Sequence, residues 1–441
     1  MKAPFSFLLA LSCVAIVCAC ASSALASPAP AGDEEGVTFE NRSMLLKDCL
    51  IKAKETSRPL MIDFYADWCG WCKKLDEETY SDPLLATFMK NFVNMKINAE
   101  LGEGPGLVKG YKISGYPYIL FLDSDGEVID WISGYLDADG FLARVEDIYA
   151  GKNTFRDFKR RYEADSSDLD AAVGYAGKLD QRGEETLSGS IYEAALVIAR
   201  KEKKPQAGTC LARLAEAALR DGDWERCKQL YEEQIGDYPQ TDGIINAYLI
   251  LVQIYAELER DLDKAVALMS GAVTAFAETE YEMMVRFQLV GLLERKDDYA
   301  GALAEIDKID EEQVPEDELF PTKVRIWVKM GNRAEAEQFC KRWRESCGKV
   351  PEQINSVAWT CHENRILLKE ALAWARQAVE LSEEEQNHII DTYAWLLYDN
   401  GDPEGAAEWE EKALFAAETD EENEAYAQAL KVFRKAIREK K

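Results

Sequence analysis

Two textures of apolar and polar positions divide the chain. Up to about residue 150, short apolar runs of strand length alternate with polar stretches of helical spacing; from about residue 168 the strand-like runs vanish and Ala, Leu, Glu and Arg recur at helical periodicity. In the first part, Leu60-Met61-Ile62-Asp63-Phe64-Tyr65-Ala66 reads as a strand, and Cys72-Lys73-Lys74-Leu75-Asp76-Glu77 as the first turn of the helix after it. Val93-Asn94-Met95-Lys96-Ile97 and Tyr118-Ile119-Leu120-Phe121-Leu122 read as further strands. Asp123-Ser124-Asp125-Gly126 is the turn of a hairpin into Glu127-Val128-Ile129-Asp130-Trp131.

The second part is periodic on a longer scale. Polar turns fall near Gly183, Gly222, Asp261, Asp297, Gly331, Arg365 and Gly401, about 34 to 39 residues apart, which is the period of paired-helix repeats. After the last five turns a small residue stands at matching depth: Ala265, Ala302, Ala336, Ala371 and Ala406. Ala378 and Ala413 repeat the spacing seven residues on from Ala371 and Ala406. These units resemble tetratricopeptide repeats, most clearly over 350–418, where Thr392 to Tyr398 reads as a first helix, Asn400-Gly401-Asp402 as the turn and Ala406 to Leu414 as the second helix. The resemblance implies an all-α helical solenoid over 152–420, closed by a polar capping helix at 421–441, whose concave face holds a protein or peptide partner. The plain alternative is that the array only spaces or dimerises the protein. Trp224, Trp327, Trp343, Trp359, Trp374 and Trp395 read as packing residues.

The chemistry lies in Trp68-Cys69-Gly70-Trp71-Cys72, delivered by the strand to the head of the helix. A helix N-terminus carries unpaired N–H groups and partial positive charge, which favour a thiolate over a thiol. Cys69 is then expected to be acidic and reachable from outside, Gly70 leaves room for a partner chain, and Cys72 is placed to attack a mixed disulfide formed by Cys69. Zinc would need a second pair of ligands, yet only Cys49 is near in sequence, and His362 and His388 are far away. Covalent haem needs His after the second cysteine, where Lys73 stands. A pair of inert core cysteines is the remaining alternative.

The neighbouring residues carry a resemblance to the thioredoxin family, over about 37–151. Asp63 stands six residues before Cys69, where thioredoxins keep a buried acid; Lys96 matches the strand lysine that pairs with it; Gly115-Tyr116-Pro117 looks like the loop bearing the family's cis-proline. Tyr65-Ala66-Asp67-Trp68-Cys69 and Thr79-Tyr80-Ser81-Asp82-Pro83 are closest to the thioredoxin-like domains of periplasmic thiol:disulfide interchange proteins. The resemblance implies an α/β thioredoxin fold and thiol–disulfide exchange with protein substrates, fed by a membrane electron donor. It implies that Asp63 relays the Cys72 proton, that Lys96 tunes Asp63, that Tyr116 and Pro117 seat an extended substrate, and that Trp68, Gly70 and Trp71 border it, with Trp68 shielding the site. It implies no metal and no organic cofactor. The chain departs from ordinary thioredoxins in carrying Gly70-Trp71 between its cysteines rather than Gly-Pro, and in Gly102-Glu103-Gly104-Pro105-Gly106, which shortens or loosens the helix expected before Tyr111. A non-catalytic envelope scaffold and a chaperone that uses the solenoid are the rival readings.

Residues 1–26 read as an export signal: Lys2, an apolar stretch from Phe5 to Val17, then small residues ending in Ala24-Leu25-Ala26. Residues 27–36 read as a flexible lead-in. Lipid attachment at Cys20 is a second reading, and both place the protein outside the cytoplasm, in the periplasm or beyond. A net charge of −29 argues against nucleic acid as a partner, which wants a basic surface. Of eleven cysteines, three precede Ala26, which leaves Cys69, Cys72 and six more: Cys49, Cys210, Cys227, Cys340, Cys347 and Cys361. Most of these six read as small core residues, although an oxidising compartment permits pairing.

Overall fold

The computed structural model describes residues 36–440 apart from 42, 43, 310–315 and 384. The export signal, Cys20 and nearly all of the lead-in lie outside the described residues. The chain divides into two compact units, the first ending at Glu163 and the second starting at Ala164.

The first unit runs α1 (Leu46–Thr56), β1 (Leu60–Tyr65), α2 (Gly70–Lys74), α3 (Pro83–Met89), β2 (Val93–Asn98), α4 (Gly104–Tyr111), β3 (Tyr118–Leu122), β4 (Val128–Ser133), α5 (Ala138–Tyr149) and α6 (Phe155–Ala164), with a π-helical segment Leu75–Thr79 continuing α2. The sheet order is β2-β1-β3-β4. β1 is parallel to β2 and antiparallel to β3, and β3 and β4 form the antiparallel hairpin. Alternation along β1 sends Leu60, Ile62 and Phe64 into a core shared with α1, and Met61 into a core shared with Leu75, α3 and α5. Asp63 falls on the Met61 face, under the helical segment that carries Cys72, and β1 is buried over Leu60–Phe64 for this reason.

Local chemistry sets the element ends. Asp82 caps α3, accepting the Leu85 N–H at 2.8 Å, with Pro83 at the first helical position. The predicted turn at Asp123–Gly126 forms, with the Asp123 carboxylate accepting the N–H groups of Asp125 and Glu127 at 2.9 Å each. The glycine-rich stretch before Tyr111 holds the start of its helix, which begins at Gly104. There a Cβ would stand 2.0 Å from the Asn98 carbonyl oxygen, so the backbone crosses the end of β2 at a distance only glycine permits.

The boundary between the units falls later than the change of texture at 151 suggests. α6 belongs to the first unit because Phe155 packs on Trp131 with ring centroids 5.3 Å apart. Arg156 also donates to the Glu127 carbonyl at 2.8 Å and pairs with Asp123 at 2.9 Å. Its helical periodicity resembles that of the second unit, while its contacts belong to the sheet.

The second unit is a succession of helix pairs, such as Leu169–Gln181 with Glu185–Glu202, Pro351–Glu363 with Leu368–Leu381, and Asn387–Asp399 with Pro403–Phe415. Ala265, Ala302, Ala336, Ala371 and Ala406 are all fully buried, as the close approach of paired helices requires. The last helix, Asp420–Lys440, is more than a polar cap: Leu430 and Phe433 pack on Ala394, Ala406 and Ala407 of the pair before it. Trp327 meets Phe339 edge-on and Trp343 meets it at a tilt, and Trp395 meets Phe433 edge-on, as packing residues do. The six further cysteines are free thiols, all buried.

Candidate functional site

Cys69 and Cys72 form a disulfide, their Cα atoms 5.3 Å apart. Cys69 is the N-cap of α2, and its sulfur accepts the Cys72 N–H at 3.1 Å. An N–H so aimed at the Cys69 sulfur favours a thiolate over a thiol. The expectation that this sulfur faces outward is not met in the disulfide form: Cys69 is only 4% exposed, packed with Ala66 and Cys72 against Tyr65 and Tyr116. The sulfur is bonded to Cys72 and the rings of Tyr65 and Tyr116 pack against it.

Below the bridge, Asp63 and Lys96 are paired residues of the parallel β1–β2 ladder, and Lys96 Nζ stands 2.9 Å from Asp63 Oδ2. Both are buried. Burial pushes the Asp63 carboxyl above the usual carboxylate range; the Lys96 ammonium pulls in the opposite direction without cancelling it.

Lys96 makes a second ion pair that sequence reasoning missed, with Asp76. The Asp76 side chain is 44% exposed, so Lys96 bridges a carboxylate sealed in the core and one in contact with water. The rings of Tyr65, Phe39 and Tyr80 lie 5.2, 5.3 and 5.4 Å from the Lys96 ammonium, a cation–π enclosure that holds its charge where water is scarce. Burial and the neighbouring Asp63 carboxylate push the Tyr80 phenol well above its ordinary range. A signal for Asp76 did exist: it lies four residues after Cys72, one helical turn down. No such spacing ties Phe39 to Lys96.

Tyr116 and Pro117 stand at the edge of the site, joined by a cis peptide bond, with Tyr116 packed against the cysteine cluster. Trp68 does not shield the disulfide as expected. It is 68% exposed, touches Tyr116 edge-on at 6.2 Å, and its indole N–H donates to Glu100 at 2.9 Å. Glu100, two residues beyond the end of β2, anchors the polar end of this exposed ring. Trp71 is 60% exposed and stacks on Tyr135 at 5.5 Å. A Cβ on Gly70 would meet nothing within 4 Å, in keeping with open space for an incoming chain. Among the described residues no group of three or more Cys, His, Asp or Glu side chains could hold a metal ion. The arrangement can exchange electron pairs between sulfurs, with a buried carboxyl below them that can carry a proton.

The family model of the thioredoxin-like domain matches residues 46–149, the stretch that contains this whole site except Phe39. Residues 46–149 are a thioredoxin-like domain. The thioredoxin-like domain is 32% identical over 107 residues to the thiol:disulfide interchange protein DsbD of Vibrio vulnificus, covering 23% of this chain and 18% of that protein. The chain thus spans about a fifth of the length of the curated relatives it matches. It is also similar to the solution structure of a putative disulphide-isomerase from Bacteroides thetaiotaomicron, at 33% identity over 27% of this chain and 97% of that one, with a TM-score of 0.25. Outside the thioredoxin-like domain, a tetratricopeptide repeat protein from Parabacteroides merdae is similar at 16% identity, over 60% of this chain and 98% of that one, with a TM-score of 0.36.

Proposed function

We propose that this chain is an exported thiol–disulfide oxidoreductase that exchanges disulfides with protein substrates through its Cys-Gly-Trp-Cys loop. The observation that carries this reading is the Cys69–Cys72 disulfide at the head of α2, above the buried Asp63–Lys96 pair. In the reducing direction, the Cys69 thiolate attacks one sulfur of a substrate disulfide and the other sulfur leaves with the bonding electron pair. Cys72 then attacks Cys69 in the mixed disulfide, which restores the Cys69–Cys72 bond and frees the substrate as a dithiol. Asp63, held above its ordinary pKa by burial, accepts the Cys72 proton as that thiol becomes nucleophilic. Lys96 limits how far the carboxyl rises and, through Asp76, connects it with solvent. Tyr116 and Pro117 present backbone to an extended substrate, as strand addition does, and Trp68, Gly70 and Trp71 border it.

Export is supported by the signal-like pattern of residues 1–26, with a lipid anchor at Cys20 as the variant reading. A role for the helical repeats in holding a protein or peptide partner follows from the general use of stacked helix pairs. A membrane electron donor is the source of reducing equivalents that a reductase or isomerase in that compartment needs.

Insulin reduction by dithiothreitol tests the reading. The wild-type chain is expected to accelerate it, and Cys69→Ser to fall to the dithiothreitol background. Equal rates would instead favour a scaffold or a chaperone. Cys72→Ser is expected to retain clients through Cys69, released by reductant. Retention no greater than that of the double variant Cys69→Ser, Cys72→Ser would sink the exchange mechanism.

A further inference from the structure

Two aromatic shelves flank the Cys69–Cys72 bridge, and they differ in one respect. On one side Trp71 stacks on Tyr135, whose hydroxyl donates to Glu78 at 2.8 Å. The ammonium of Lys74 stands 5.4 Å from the Trp71 ring, 4.8 Å from the Tyr135 ring and 3.7 Å from Glu78. On the other side Trp68 meets Tyr116, and its indole N–H is bound to Glu100 at 2.9 Å. Each shelf is thus an exposed indole with a carboxylate tied to the polar end of an aromatic ring. That pairing attracts a cation twice, through the ring quadrupole and through the charge. The Trp71 shelf has its cation in Lys74. Among the described residues no lysine or arginine stands over Trp68 or pairs with Glu100.

We infer that the Trp68 shelf seats a lysine or arginine of the substrate polypeptide beside its reacting cysteine, with Glu100 as the counter-charge. The inference rests on the thiol–disulfide reading above. An occupant from outside fits because none of the described residues supplies a cation there, and the shelf adjoins both Cys69 and the Tyr116-Pro117 edge where a substrate would lie. The Lys74 arrangement shows what such a shelf holds in this same domain. A net charge of −29 adds a long-range preference for basic polypeptides, which the test has to separate from the local one. Trp68 and Glu100 would therefore bias which disulfides are exchanged.

Three synthetic peptides with one internal disulfide, differing only in Arg, Ala or Glu before one cysteine, decide the matter. The reduced full chain donates two electrons to each: the peptide S–S bond breaks, the Cys69–Cys72 bond forms, and the two thiol protons end on the peptide sulfurs. Single-turnover rates at low ionic strength are expected to favour Arg over Glu by about tenfold. Glu100→Gln and Trp68→Leu are expected to shrink that ratio to about twofold. Glu78→Gln, which changes the net charge equally, is expected to leave it standing. Equal rates for the Arg and Glu peptides would overturn the inference, as would equal effects of Glu100→Gln and Glu78→Gln, which would assign the preference to bulk charge. A wild-type chain that leaves even the Ala peptide unreduced overturns the redox reading itself, whereas one that reduces all three alike overturns only the shelf.

Discussion

Asp63 is the residue at which burial and charge compete most directly. Desolvation raises its carboxyl and Lys96 lowers it, with burial the larger influence. The folded protein therefore holds that proton more tightly than the unfolded chain does. Stability from this source is full below about pH 4, the ordinary carboxylate range, and is lost as pH rises through the folded-state value. Asp63→Asn, which cannot ionise, is expected to gain stability on the parent as pH rises from 4 to 8 in urea unfolding of the reduced protein; a difference that stays flat with pH would contradict the assignment. Asp63 and Lys96 were legible because the resemblance to thioredoxins assigns a buried acid to the strand before Cys69 and a lysine to the next strand. The contacts of Phe39, Tyr80 and Glu100 were not, because they join segments distant in sequence, and even the marked segment around Tyr80 does not name its partner. The outward stance of Trp68 was misread for the same reason: its partner Glu100 lies 32 positions along the chain.

At the scale of elements, the repeats are punctuated by a small device. A residue of left-handed backbone precedes an aspartate that caps the second helix, and a small buried residue follows four positions later. Gly222, Arg260, Asp297 and Gly401 have φ of 76°, 57°, 58° and 89°. Asp223, Asp261, Asp298 and Asp402 then accept the N–H of the third residue onward at 2.9 to 3.1 Å. Cys227 occupies the position that Ala265, Ala302 and Ala406 fill in later units, which accounts for one buried free thiol. Asp402→Ala is expected to cost about 1 kcal/mol of stability in the second unit. Ala406→Leu, which forces new volume against Phe433 and its neighbours, should cost about 1 to 3 kcal/mol. Denaturant unfolding followed by far-UV circular dichroism checks both, and a silent Ala406→Leu would mean that the helices do not meet as closely as the burial indicates. Repeat period and cap spacing were readable because both are local. The extra depth of the closing helix was not, since its polar composition hides the single apolar stripe that Leu430 and Phe433 form.

For the molecule as a whole, acidity has one consequence inside the second unit as well as on its surface. Glu410 is fully buried, and burial followed by the neighbouring Asp391 carboxyl pushes its pKa up to about 9. Tyr426 of the closing helix shares this environment, its phenol raised first by burial and then by Asp391. Because the folded value lies above the unfolded one, Glu410 favours folding at acid pH, and that contribution is lost as pH rises toward 9. The second unit is expected to lose on the order of 1 kcal/mol per pH unit between pH 6 and pH 9, and Glu410→Gln to flatten the profile, as thermal melts across that range would show. Local spacing alone determined the strand-turn-helix that carries the two cysteines and the stack of helix pairs, because each is written in residues close along the chain; the acid and lysine beneath the cysteines were placed by the resemblance to thioredoxins. Tertiary structure alone decided that α6 joins the sheet, that aromatic rings from three segments enclose Lys96, that Trp68 turns outward, and that two acidic side chains meet in the core of the last repeat. Those outcomes depend on which distant surfaces meet and exclude water, and hydrophobic patterning specifies that a surface is buried without naming its partner.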